Sequence, residues 1–279
     1  MSPLRVILLL GLVTLATGCA ITPSSRFALK PTDHFLQLES EPRVLYEPGA
    51  EAFAMKAAEI LPQAIAQVET GHFRAFQHDI QIYICGTDTC FSNYVITPKL
   101  SAAVVPNNRL FLSPRLFTTE IQRLSPILTH ELSHLHLGQQ VGHFTYTIPV
   151  WFHEGLAAHV SNGGGADYAS EEQALKAFQT GRHFTPEARD DAYSRKKADY
   201  WGLSPSLFYR QSMMFVEFIK QLAETSFQQF LLAVQNNEDF DLAFSNAYNM
   251  DMAAADKQFL QRMQAMPFSQ ASGISTNLP

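Results

Sequence analysis

The stretch 130–159 holds six of the chain's ten histidines: His130, His134, His136, His143, His153 and His159. The first two bracket His130-Glu131-Leu132-Ser133-His134, an H-E-x-x-H pattern inside a segment of helical periodicity, with Leu128, Leu132 and Leu135 as its apolar stripe. A spacing of four puts both imidazoles on one helix face, one turn apart, where both can reach a single Zn²⁺. Glu131 projects about a third of a turn away. It cannot share their coordination position, but it can reach a water at the metal as a general base. Chance places roughly 0.02 such patterns in a chain of this composition. An amphipathic helix carrying these residues by accident would bury two imidazoles and a carboxylate with no common partner, which is costly.

A tetrahedral catalytic zinc needs a third protein ligand and one open position. A third histidine six residues after His134 is excluded, because Leu137 and Gln140 stand where H-E-x-x-H-x-x-G-x-x-H requires Gly and His. A second helix, starting at Pro149, offers Glu154 instead. Its rivals are His136, which falls on another face of the first helix, His153, which adjoins Glu154 but points elsewhere, and His143 in the connecting loop. His143 could touch a substrate, and His159 has no role beyond a solvated or outer residue.

Together, H-E-x-x-H and Trp151-Phe152-His153-Glu154-Gly155-Leu156-Ala157 resemble the gluzincin metallopeptidases. The chain looks closest to the compact domains called peptidase MA-like, related to thermolysin and aminopeptidase N, over about residues 129–158. The resemblance implies His130, His134 and Glu154 as ligands of one Zn²⁺, Glu131 as general base, and hydrolysis of peptide bonds. Two departures matter. Thermolysin-like enzymes carry an Asp where Ala158 stands, so the outer shell must come from elsewhere. The G-x-M-E-N motif of aminopeptidase N relatives is missing, which favours an endopeptidase. Relatives often stabilise the oxyanion with a Tyr or His from a later helix, and Tyr209 fits that place, with Tyr200 and His183 behind it. Tyr209 also reads as a core aromatic in the stripe of Phe208, Phe215, Phe218 and Ile219. By the same analogy Val104–Leu112 supplies a sheet edge that pairs with an extended peptide.

The amino terminus bears on compartment. Arg5 precedes an apolar run from Val6 to Thr17, too short to span a bilayer but suited to a signal sequence. Leu15-Ala16-Thr17-Gly18-Cys19 resembles a bacterial lipobox, though with Ala16 where Leu is commoner. The resemblance implies cleavage before Cys19, acylation of Cys19 and, since residue 20 is not Asp, an outer-membrane anchor facing the periplasm. In such an oxidising compartment Cys85 and Cys90 are an expected disulfide. Charge adds an exclusion: 20 Lys+Arg against 26 Asp+Glu provides no clustered positive footprint for nucleic acid.

Punctuation and periodicity divide the chain. Residues 1–18 read as signal, 19–48 as a Pro-rich tether, 49–267 as a single domain and 268–279 as a frayed tail. Helical spacing covers 49–69. Strands are expected over 79–85, 101–105 and 109–112. A helix capped by Thr118 or Thr119 runs to Gly138, kinked or truly started by Pro126. Further helices are expected from Pro149 to about Asn162 and over 171–180, 206–223, 227–236, 242–249 and 252–266, with 181–205 an irregular loop. The expected class is α+β, a small mixed-sheet lobe packed on a mainly helical one. The expected activity is that of a lipid-anchored zinc peptidase acting on peptide or protein in the cell envelope. The alternatives are a non-catalytic zinc-binding scaffold or chaperone, which the intact Glu131 argues against, and an amidase on cell-wall peptides.

Overall fold

The computed structural model describes residues 30–97, 99–105, 109–187 and 195–267, without the side chains of His143 and Phe144. The signal, Cys19 and the tail lie outside the described residues. The fold is α+β: a five-stranded mixed sheet on the N-terminal side and helices beyond it. Strands β1 (Leu36–Gln37), β2 (Val44–Tyr46), β3 (Gln81–Ile84), β4 (Ala102–Val105) and β5 (Arg109–Leu112) lie in the order β1-β2-β3-β5-β4. β2, β3 and β5 run parallel, while β1 and β4 pair antiparallel at the two edges.

Alternation along β3 and β5 sorts the two faces of the sheet. Ile82, Ile84, Leu110 and Leu112 point into the main core with Phe53, Ala57, Leu61 and Val68 of helix α1 (Glu51–His72). Tyr83, Cys85 and Phe111 point the other way, into a smaller cluster with Phe35, Phe91 and Tyr94. That second face is covered by a short helix, α2 (Asp88–Tyr94), which starts inside the stretch that reads as a polar turn. Thr87 caps it by accepting from the N–H of Cys90, and the Glu47 carboxylate accepts from the N–H groups of Gly86 and Thr87. The Cys85–Cys90 disulfide closes this turn, with Cα atoms 5.5 Å apart. The tether expected up to residue 48 is corrected here. From Leu36 onward it belongs to the sheet, because Val44 is fully buried and the register pairs it with Ile82.

Beyond β5 come a short helix, α3 (Arg115–Thr118), and a 3₁₀ turn (Ile121–Arg123), followed by the long helix α4 (Leu124–Val141). Pro126 is its third residue, where a missing N–H costs nothing, so the proline sits in the first turn and Thr118 and Thr119 cap no part of α4. Leu124, Ile127, Leu128, Leu132 and Leu135 are buried, as the stripe requires. Gly142, at φ +58, turns the chain out of α4. Helix α5 (Val150–Val160) follows a 3₁₀ turn, and then come α6 (Glu171–Gln179), a 3₁₀ turn at Ala198–Trp201, α7 (Pro205–Leu222), α8 (Glu224–Gln235), α9 (Phe240–Tyr248) and α10 (Met252–Ala265). Among the described residues no helix is long and apolar enough to cross a membrane.

Glycine decides how closely α5 and α7 approach. A Cβ on Gly155 would stand 2.6 Å from the Ser212 carbonyl oxygen, so the residue after Glu154 must be Gly for α5 to lie against α7. On the other side of α4, the α1 terminus is tied in by polar contacts. The His72 ring nitrogen Nε2 lies 2.7 Å from Ser133 Oγ, and the N–H groups of Gln77 and His78 donate to Gln139 Oε1. These contacts hold α4 against the end of α1.

Candidate metal centre

Helix α4 presents His130 and His134, and α5 presents Glu154. The two Nε2 atoms lie 3.0 Å apart, and Glu154 Oε2 is 3.4 Å from each. Among the described residues, these three are the one group of histidine, cysteine and acidic side chains whose ligand atoms converge, all within 4.8 Å of one another. The trio could hold a metal ion: two neutral imidazole nitrogens and a carboxylate oxygen are a donor set suited to a divalent transition metal. The Glu154 carboxyl is affected in two opposing ways. Burial works to raise its pKa, but the positive charge of His134 and hydrogen bonds from both imidazoles outweigh that and hold it well below the ordinary carboxylate range. Burial lowers the pKa of His134, yet Glu154, with help from Glu131, brings it above its usual value.

Both Nδ1 atoms, of His130 and of His134, are buried and have no hydrogen-bond partner among the described residues. Metal-ligating histidines usually have that nitrogen held by a carboxylate or carbonyl. Here packing orients the rings. His153 lies flat against His134, centroids 4.2 Å apart and planes 5° from parallel. Gly165, at φ +80, backs onto His130, where a Cβ would fall 2.9 Å from ring atom Cε1. Gly164 belongs to the same wrap, since its Cβ would meet the Pro126 carbonyl oxygen at 2.3 Å. The run Gly163-Gly164-Gly165 therefore does more than end α5: it folds back over the start of α4 and supports His130. Ala158, where an outer-shell Asp would sit in the thermolysin pattern, is fully buried against Ala166 and Met213.

The trio lies in an open cleft of about 1360 Å³, between the sheet edge β4 and the loops around α5 and α7. Glu131 lines it, and Glu131 Oε2 accepts a hydrogen bond of 3.2 Å from the Val104 N–H on β4. Tyr209, on α7, also lines the cleft, with its ring 6.1 Å from that of His130. The negative charge of Glu154, then burial, then Glu131 push its phenol pKa far up, so it stays a proton donor. Tyr200 is exposed and set edge-on to Trp201, and the His183 ring nitrogen Nδ1 meets the Phe184 carbonyl. Neither lines the cleft.

The remaining histidines separate. His136 points into the core, as its position two residues past His134 requires, and its Nε2 donates to the Arg74 carbonyl at 2.9 Å. His159 faces Glu217, 3.4 Å away, in a separate shallow depression. The side chain of His143 lies outside those described. His153 offers no ligand atom to the trio, as its position beside Glu154 implies, but it lies against the centre as the flat neighbour of His134 and lines the cleft. Burial and then the charge of His134 hold its pKa well below the ordinary value. No family model and no curated protein matches this chain.

Proposed function

We propose that this chain is a zinc-dependent peptidase of gluzincin type, anchored in the bacterial cell envelope through an acylated Cys19. The observation that carries the reading is the convergence of His130, His134 and Glu154 in an open cleft with Glu131 beside them. His130, His134 and Glu154 would hold the Zn²⁺, which when bound would supply Lewis acidity to a carbonyl and lower the pKa of water to about 7. Glu131 is the proton carrier: one oxygen is oriented by Val104, and the carboxylate takes a proton from the attacking water and delivers it to the leaving amine. Tyr209, kept protonated, donates to the oxyanion as it forms. β4 is an edge strand lining the cleft, so an extended peptide can add to it through main-chain hydrogen bonds. The test is metal analysis of the purified chain together with hydrolysis of a peptide library. One zinc per chain with cleavage supports the reading, and a metal-free, inert chain overturns it.

A further inference from the structure

Cations around the cleft differ in how their charge is met. Arg123 is matched twice, by Glu120 and by Asp167 at 3.0 Å. Lys196 is paired with Glu187. Arg195, its neighbour in sequence, has no carboxylate among the described residues. Among the described residues its only side-chain hydrogen bond is from Nη2 to the Ile148 carbonyl at 3.2 Å, and its buried Nε meets no partner there. Yet Arg195 lines the cleft, close enough that its charge acts on the rings of both His134 and His153.

A guanidinium is costly to keep partly out of water without a counter-charge, and costlier beside a centre built to hold a metal cation. Its fork of N–H donors matches a carboxylate in geometry as well as in charge. We infer that Arg195 is an anion subsite of the cleft, taking a carboxylate of the bound peptide next to His134 and His153. This rests on the peptidase reading for the identity of the ligand as a peptide, and it deepens that reading by adding a substrate class. A carboxylate reaches the cleft from either of two sources, a free peptide C-terminus or an Asp or Glu side chain. The first would make the protein favour cleavage near chain ends, and the second would make it favour acidic sequences.

The test uses the metal-free full-length chain in detergent, so that neither hydrolysis nor carboxylate binding to zinc enters the readout. NMR titration compares N-acetyl-Ala-Phe as the free acid with its carboxamide, and N-acetyl-Ala-Glu-amide with N-acetyl-Ala-Gln-amide. In at least one pair the anionic member binds roughly tenfold or more tightly, the size expected of a charge-assisted hydrogen bond. The pair that discriminates identifies the source. Arg195→Gln brings that ratio to about one, Arg195→Lys retains part of it, and Lys196→Gln leaves it intact. Because Arg195 is tied to the fold by one carbonyl contact, the variants are expected to melt like the parent, and the lysine variant serves as a second reading of the same site. Equal binding within both pairs, or a preference that survives Arg195→Gln, overturns the subsite. A zinc-loaded chain that cleaves nothing while showing the Arg195-dependent preference would overturn the peptidase reading alone.

Discussion

Glu131 and Val104 are joined by a hydrogen bond of 3.2 Å from the strand N–H to the carboxylate, which ties the proposed base to the free edge of the sheet. The two belong to different layers of the fold, and their contact puts the proton carrier where an extended substrate would lie. Glu131→Gln keeps the two imidazoles and Glu154, so zinc content stays at one per chain. Turnover of a cleaved peptide falls by about 10²- to 10⁴-fold. Unchanged turnover in that variant would remove Glu131 from the mechanism.

Tyr209 separates from the ligands in a different way. Tyr209→Phe retains the ring packed near His130 and loses only the hydroxyl. The expected result is a drop of about 10²-fold in kcat with KM and metal content little changed. A variant with wild-type kcat would leave Tyr209 as a packing residue.

Gly165 tests whether packing orients His130. Gly165→Ala puts a methyl 2.9 Å from Cε1 of the ring at a backbone angle that side chains avoid. Zinc affinity, measured by competition with a chromogenic chelator, is expected to fall by about 10- to 100-fold. Gly142→Ala is the control: its φ is also positive, at +58, but a Cβ there meets nothing within 4 Å. It costs on the order of 1 kcal/mol of stability and leaves affinity alone.

Metal removal is read as stability. A ligand present at about a hundred times its Kd adds about 2.7 kcal/mol to the folded state. In a chain of this size that corresponds to roughly 5–10 °C in Tm. Chelation therefore lowers Tm by that amount in the parent, and a Glu154→Gln, His134→Ala double variant shows no further drop on adding chelator.

Asp256 on α10 carries a pH signature unrelated to the metal. Burial raises its pKa from 3.8 to about 6, against a small opposing effect from His183. The folded state thus holds the proton more tightly than the unfolded state does. Stability tied to this group is complete below about pH 4 and is lost as pH rises through about 6. Asp256→Asn should match the parent at pH 4 and exceed it at pH 7.5 by on the order of 2 kcal/mol. Thermal melts at the two pH values check this, and equal differences at both would show that Asp256 is not protonated in the fold.

Legibility in the sequence followed the range of the interactions. The helices of the C-terminal half were readable because burial of one face imposes a local period, which Leu124, Leu128 and Leu135 carry openly. β3 was readable from the alternation of Ile80, Ile82 and Ile84, and β4 and β5 as short runs parted by a Pro-Asn-Asn turn sequence, whereas β1, β2 and α2 were not. Two or three residues carry no period, and Val44 is made a core residue only by its pairing with Ile82. Asp88–Tyr94 becomes a helix under a Thr87 cap, with Phe91 and Tyr94 drawn onto the far face of the sheet.

The candidate centre divides along the same line. By itself the sequence determined the ligand types, because four-residue spacing on one helix places His130 and His134 together whatever surrounds them. It also placed Glu131 off their axis and Glu154 on a second helix. Only the tertiary structure decided that α5 brings Glu154 to 3.4 Å from both imidazoles, and it did so by closing α5 onto α7 across Gly155. The same folding laid His153 flat on His134, bent the glycine run behind His130 and left Arg195 facing the cleft with no carboxylate among the described residues. The physical reason is that spacing along one helix is set by backbone geometry. Contacts between elements depend on how closely two surfaces can pack, which no local window of sequence contains.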